Sequence, residues 1–464
     1  MYKVIIDSKT FFAEEGSILG DILIKSEIPH SHPCGGMGIC KKCTVKVNGK
    51  EELSCKYEIH SDIVVEVKED ENIISETGAV ISASASDKPV FVLDIGTTTL
   101  ALALADTENK NIIDVKTDTN PQRIFGADIM SRIDYCRKNG VNEMQSVLIK
   151  KINSMLSRFS QNSADTLFVS GNTVMLHIFF GEDCASMGSA PYTPVFLEER
   201  TVNAKELGLN SVKAVHSLPS ISSFIGADIT AGLNLVSAPL HGKYSILIDL
   251  GTNAEIVLFS DECVICTAAA AGPCFEGANI TCGMSASEGA VCEYIYSGNY
   301  KTIGNAPAKG ICGTGLIDIM AVLIKNEIID ETGFLETEKF SITEDVFINQ
   351  NDIRQFQLAK SAIYSGVLTL MKHAGISFDE IEQLYISGGF SAKINIENAV
   401  ITGLFPKELK SRCTPLNNSS LLGTVKYACE SNDLSLITKN AAYKDMSADS
   451  VFSELFVENM MFEV

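Results

Sequence analysis

The sequence predicts a multi-domain α/β protein, in which a small sheet-plus-helix unit precedes a larger, internally duplicated one. Three observations point there. The composition changes between residues 78 and 89, a glycine-rich cysteine cluster is confined to the stretch before that change, and two pairs of self-similar strand–turn segments follow it. At 464 residues the chain is too long for one ordinary core.

Residues 1–77 form the first unit. YKVIID (2–7) and KTFFA (9–13) alternate like paired strands, and SILGDILIKSEI (17–28) spaces its apolar residues as a helix does. CTVKVNG (43–49) and SDIVVEVKED (61–70) supply further strands, giving a β-grasp-like pattern. Between helix and strand, HPCGGMGICKKC holds Cys34, Cys40 and Cys43 as C-x5-C-x2-C, and Cys55 follows. Four thiolates suit a 2Fe-2S centre, and Gly35, Gly36 and Gly38 let the backbone wrap it with amide donors toward sulfur. The spacing is one residue longer than the plant-type C-x4-C-x2-C, and the fourth cysteine comes early. Tetrahedral zinc also takes four cysteines, but zinc ribbons favour two C-x2-C pairs and this stretch has one, so the spacing favours iron–sulfur.

Residues 78–89, rich in Ser, Ala, Asp and Pro, read as a linker, and residues 90–464 form the second unit. VFVLDIGTTTLALALAD (90–106) has a counterpart in SILIDLGTNAEIVLFS (245–260), each a buried strand, an Asp-x-Gly-Thr turn and a returning strand. LFVSGNTVMLHIF (167–179) has one in LYISGGFSAKINI (384–396), each a strand, a Gly-containing turn and a helix. The repeated order predicts two lobes, about 90–240 and 241–464, around a cleft.

The cleft has the chemistry a phosphate chain requires. Gly96 and Gly251 let the hairpin backbones approach phosphate oxygens, and Thr97, Thr98, Thr99, Thr252 and Asn253 add side-chain donors. Asp94 and Asp249, at the ends of facing strands, are expected to hold hydrated Mg²⁺ and orient an attacking water. Gly388 and Gly389, followed by Phe390, let a flat adenine ring lie against the backbone. A single Asp-x-Gly-Thr is usually just a hairpin, and a purely structural duplication is the alternative. Two such turns followed by Ser-Gly-Gly-Phe favour ATP, by a route other than the P-loop, whose G-x-x-x-x-G-K-[ST] is absent.

Composition narrows the partners. A net charge of −21 repels nucleic acid and anionic membranes. The N-terminus shows no apolar leader and no apolar run is long enough to span a bilayer, so a cytoplasmic protein is expected. Fourteen unevenly distributed cysteines do not resemble a secreted disulfide scaffold.

Other features carry two readings. Cys263, Cys266, Cys274 and Cys282 suggest a second metal site or, more simply, buried thiols. His177 and His373 read as packed helical residues. GICGTG (310–315) either contacts nucleotide or lets a helix pack closely, and Gly126–Asp128 and Gly226–Asp228 are partner-facing loops or structural turns.

The Asp94–Thr99 and Asp249–Asn253 hairpins and Ser387–Phe390 resemble the motifs of the acetate-kinase, sugar-kinase, heat-shock-chaperone and actin superfamily. NPQRIFGADIMSRI, SGNTVMLHIFFG, LPSISSFIGADI, AAAAGPCFEGANITCGMSA, KGICGTGLIDIM, DIRQFQLAKSAIYSGV and ISGGFSAKI further resemble the reductive activators of corrinoid proteins. This resemblance implies an N-terminal 2Fe-2S ferredoxin-like domain before a duplicated actin-like, ribonuclease-H-like ATPase domain. It implies ATP-dependent one-electron reduction of inactive Co(II) corrinoid to Co(I), with a corrinoid protein of a methyltransferase system as partner. A low-potential donor such as ferredoxin or flavodoxin, and a homodimer, are also implied. Larger members place a long linker and a middle domain before the ATPase-like lobes, whereas only residues 78–89 separate the two units here. The shorter activators, which serve O-demethylase or methylamine-type systems, look closest. The rival functions are a small-molecule kinase with a regulatory cluster and an activator of a 2-hydroxyacyl-CoA dehydratase, whose bridging 4Fe-4S centre the Cys34–Cys55 stretch argues against.

Overall fold

The computed structural model describes residues 1–6, 9–26, 28, 43–67, 89–159, 164–237, 240–296, 298–431 and 433–463. Cys34, Cys40 and linker residues 78–88 lie outside them.

In the N-terminal unit, alternation builds a mixed five-stranded sheet. Tyr2–Ile6 pairs antiparallel with Lys9–Ala13 on one side and parallel with Ile63–Glu66 on the other. Thr44–Val47 pairs antiparallel with Ile63–Glu66 and with Lys50–Leu53, a strand the sequence reading missed. One face of the sheet presents Val4, Ile6, Val45, Val47, Ile63 and Val65, and Leu19 and Leu23 of the helix Leu19–Lys25 complete this core. Lys46 and Val64, one residue out of phase, face solvent, as the period of two requires.

The larger unit contains the duplication in plain geometry. In the first lobe, Pro89–Ile95 is followed by antiparallel Thr99–Asp106 and Asn111–Thr119, and Thr166–Gly171 returns parallel on its free side. In the second, Tyr244–Leu250 is followed by antiparallel Ala254–Phe259 and Val264–Ala269, and Ile381–Gly388 returns parallel. The registers correspond: Asp94 stands beside Ser170 and Asp249 beside Ser387.

Two helices cross over between the lobes. Ala227–Val236 follows the first lobe's sheet in sequence, yet packs Ile229, Leu233 and Val236 on Leu247, Val257 and Phe259 of the second. Ser419–Glu430 follows the second lobe's sheet and packs Leu421 and Val425 on Val92, Ala101 and Ala103 of the first. The helices touch where a Cβ on Gly423 would meet the Ala231 carbonyl oxygen at 1.9 Å, so only glycine permits the crossing. The Asn234 amide donates to the Gly423 carbonyl at 3.0 Å beside it. Among the described residues no helix is long and apolar enough to cross a membrane.

Candidate functional site

Every nucleotide-site residue expected from sequence lines one cavity of ≈ 270 Å³ between the lobes: Asp94, Gly96, Thr97, Thr98, Thr99, Asp249, Gly251, Thr252, Asn253, Gly388, Gly389 and Phe390. The strand ends bring the two hairpins together, and Gly388 packs closely at the wall expected to take the base. Its φ of +111° and the 2.2 Å approach a Cβ would make to the Leu250 carbonyl oxygen exclude any other residue. The Phe390 ring lies 5.6 Å from that of Phe275, so the two aromatics form one wall.

Several helices begin at the cavity, Ile129–Asn139 with Ile129 in the cavity wall among them. Thr173–Phe180, Ala227–Val236, Gly313–Lys325 and Ser419–Glu430 present Asn172, Asp228, Gly313 and Asn418 with Ser420 to it. Helix starts carry unpaired amides and the positive end of the macrodipole, an environment suited to phosphate. The close-packing reading of GICGTG holds, because a Cβ on Gly313 would meet the Phe275 carbonyl oxygen at 2.3 Å, and Gly313 also lines the cavity. Asp228 also lines the cavity, a position that neither reading of Gly226–Asp228, partner-facing loop or structural turn, had foreseen.

The first hairpin is clamped from behind by the segment that holds Gly126–Asp128. Asn120 donates through its amide side chain to the Gly96 carbonyl at 2.8 Å and through its backbone to the Thr98 carbonyl at 2.9 Å. The buried Arg132 guanidinium donates to the Thr97 carbonyl at 2.6 Å and to the Gly126 carbonyl at 3.0 Å. Asp128 caps helix Ile129–Asn139 and thereby aims Arg132 inward, a structural role.

The carboxylates are electrostatically uneasy. Burial raises the pKa of Asp94, and hydrogen bonds from Asn418 and Ser420, each 2.7 Å, partly oppose this. Burial and the neighbouring Asp249 push Asp228 up to about 7. Burial and Asp94 push Asp249 up to about 6, against a hydrogen bond from Ser387. Glu255 and Glu276, which the sequence reading did not single out, are likewise raised by burial, and Thr252 donates to Glu276 at 2.8 Å. A cation placed among these carboxylates would favour their ionised forms. Among the described residues no three such side chains converge as a direct metal cage.

In the N-terminal unit, Cys43 and Cys55 are buried with their sulfurs 3.2 Å apart. That is well beyond the ~2.05 Å of a disulfide: the two are a hydrogen-bonded thiol pair, somewhat closer than the ~3.7 Å that two thiolates span on one tetrahedral metal with bonds of about 2.3 Å. This half of the predicted ligand set fits a metal–sulfur centre. Elsewhere, burial drives the thiols of Cys266 and Cys274 up to about 12, and Cys263 and Cys282 are half-buried. His177 is buried against the Thr173 carbonyl at 2.7 Å, as a packed residue should be. His373 departs from its packed reading: it is exposed and pairs with Asp449 at 2.7 Å.

The comparisons with known proteins agree over nearly the whole chain. The model of the C-terminal domain of RACo, the ASKHA domain, matches residues 243–464, and that of the RACo middle region matches residues 90–241. The expectation that this chain lacks a middle domain is thereby overturned, because that region is its first lobe. The chain is 25% identical to the corrinoid activation enzyme RamQ of Eubacterium limosum over 96% of either chain. It is 27% identical to the [Co(II) methylated amine-specific corrinoid protein] reductase of Methanosarcina barkeri, over 71% of this chain and 68% of the other. A solved reductive activator for a corrinoid, iron–sulfur protein superposes with a TM-score of 0.72 at 24% identity, covering 100% of this chain and 98% of that one.

Proposed function

The chain belongs to the reductive activators of corrinoid proteins, and from that premise we propose how its two units divide the work of returning an inactive Co(II) corrinoid to Co(I) with ATP as the energy input. The observation that carries the reading is the convergence of the Asp94 and Asp249 hairpins on one interlobe cavity, in a chain that also pairs buried Cys43 and Cys55.

ATP binds with its phosphates between Gly96–Thr99 and Gly251–Asn253 and its base beside Gly388–Phe390. Asp94 and Asp249 hold hydrated Mg²⁺, which when bound neutralises the phosphate charge, and Asp249 orients the attacking water. Cys34, Cys40, Cys43 and Cys55 of a ferredoxin-like domain hold a 2Fe-2S centre, which when bound supplies one electron at a potential near about −400 mV. Co(I) is a stronger reductant than that, and each ~59 mV of shortfall disfavours the transfer tenfold. The nucleotide-bound lobes grip the corrinoid protein and shift the axial ligation of cobalt, making Co(II) easier to reduce, and hydrolysis separates the pair. A ferredoxin or flavodoxin recharges the chain, which works as a homodimer. The partner is a corrinoid protein of a methylamine-type or O-demethylase system, and the name of the Methanosarcina relative, which specifies a methylated amine-specific corrinoid protein, supports the methylamine type.

The test mixes the reduced protein with a Co(II) corrinoid protein and follows the cobalt absorption bands. Co(I) should accumulate with ATP and fall at least about tenfold without it. An unchanged yield without ATP would refute the coupling, and phosphate transfer to an added acid or sugar would instead identify a kinase.

A further inference from the structure

Ser54 is completely buried, and its hydroxyl has no hydrogen-bond partner among the described residues. Its backbone is satisfied: the N–H donates to the Cys43 carbonyl at 3.0 Å, and the carbonyl accepts from Gly20 at 2.8 Å. Gly20 packs so tightly that a Cβ there would sit 3.3 Å from both the Cys55 Cα and the Ser54 carbonyl oxygen, which fixes the turn. The backbone that carries the orphaned donor is therefore fixed between the Cys43 carbonyl and Cys55, the two predicted ligands that fall within the described residues. Buried polar groups are normally paired, and an isolated exception calls for a cause such as an ion or cofactor. The other two orphaned side-chain atoms, Asn111 Oδ1 and Ser245 Oγ, adjoin no predicted ligand.

We propose that the Ser54 hydroxyl donates a hydrogen bond to sulfur of the centre held by Cys43 and Cys55, and thereby tunes its reduction potential. The inference rests on the iron–sulfur reading of the four cysteines. Reduction adds negative charge to the sulfurs, so a donor there strengthens its bond in the reduced state and makes the potential less negative. Ser54 is thus a positioning and tuning residue, one that keeps the centre reducible by its donor.

The experiment uses the full chain purified anaerobically, with iron counted, the reduced state observed by EPR, and the midpoint measured by mediated redox titration. Ser54→Ala should retain iron, while the reduced-to-oxidised ratio at fixed applied potential falls about tenfold, a midpoint about 59 mV more negative. Ser54→Thr, which keeps the hydroxyl, should stay within about twofold of the parent ratio. Ser54→Gly is a second hydroxyl-free variant should alanine impair folding, and the same fall is expected. An unchanged midpoint in an iron-loaded hydroxyl-free variant, or an equal fall in Ser54→Thr, would overturn the inference. Absence of redox-active iron from the parent chain would instead defeat the cluster reading itself.

Discussion

The two Asp-x-Gly-Thr hairpins at the cavity repeat one motif and differ in their surroundings. The Gly96–Thr99 turn is gripped through three of its carbonyls by Asn120 and Arg132, and Asp94 accepts from two neutral donors on the helix start at Asn418. The Gly251–Asn253 turn carries an internal bond from the Gly251 N–H to the Asn253 carbonyl and the Thr252 contact to Glu276, and Asp249 shares its space with Asp228 and Glu255. The duplicated motif has diverged into a rigid platform in the first lobe and a charge-strained half in the second. The strained half is the one that gains most from a cation and a phosphate chain arriving together.

The largest effect expected of this asymmetry is on turnover. Asp249→Asn should cut ATP hydrolysis, measured as phosphate release, by at least about 100-fold while changing nucleotide affinity about threefold or less, as loss of a transition-state contact does. Asp94→Asn should weaken binding as well, because it breaks a carboxylate held by two donors. Identical kinetic signatures for the two variants would erase the distinction between the lobes.

Next comes the clamp. Arg132→Met should raise the KM for ATP about tenfold by freeing the Thr97 carbonyl, and Arg132→Lys should fail to restore it, since one ammonium cannot reproduce the fork of bonds to Thr97 and Gly126. A KM unmoved by Arg132→Met would show that the platform needs no clamp.

The smallest effect is on stability, and its sign is set by titration. Asp228 and Asp249 titrate near 7 and near 6 when folded, above ordinary carboxylates. The folded state therefore binds more protons than the unfolded one from about pH 4 to pH 7, and the stability of nucleotide- and metal-free protein falls as pH rises through that window. Asp228→Asn should raise its Tm by about 2 °C at pH 8 and hardly at all at pH 5, with the difference closing when Mg²⁺ and ATP are added. Equal gains at both pH values would remove the charge-strain account of the second lobe.

Much of this site was legible in the chain because its signals are local and repeated. Asp-Ile-Gly-Thr and Asp-Leu-Gly-Thr each encode strand, tight turn and strand, and their recurrence announced two lobes with a shared cleft. The cysteine spacing was readable for the same reason, although only Cys43 and Cys55 fall within the described residues. What escaped comes from chain brought in over long separations. Asn418 and Ser420 stand more than 300 residues from Asp94, and an Asn-Ser-Ser preceding an apolar run marks a helix start without saying what it points at. Arg132, Glu255 and Glu276 sit in segments whose charge looks ordinary until folding removes the water. The strands Lys50–Leu53 and Glu58–Ile59 were missed because the first carries no apolar alternation and the second is too short to show a period.

The exchanged helices bear on how the larger unit can be made and dismantled. A gene fragment ending near residue 240 would yield a sheet whose outer face lacks Leu421 and Val425, together with a helix bearing Ile229, Leu233 and Val236 but nothing to lay them on. Each half is thus the other's missing piece. Protease nicking between them should leave a clasped pair that comes apart only on denaturation, and separately expressed halves should dissolve together far better than alone.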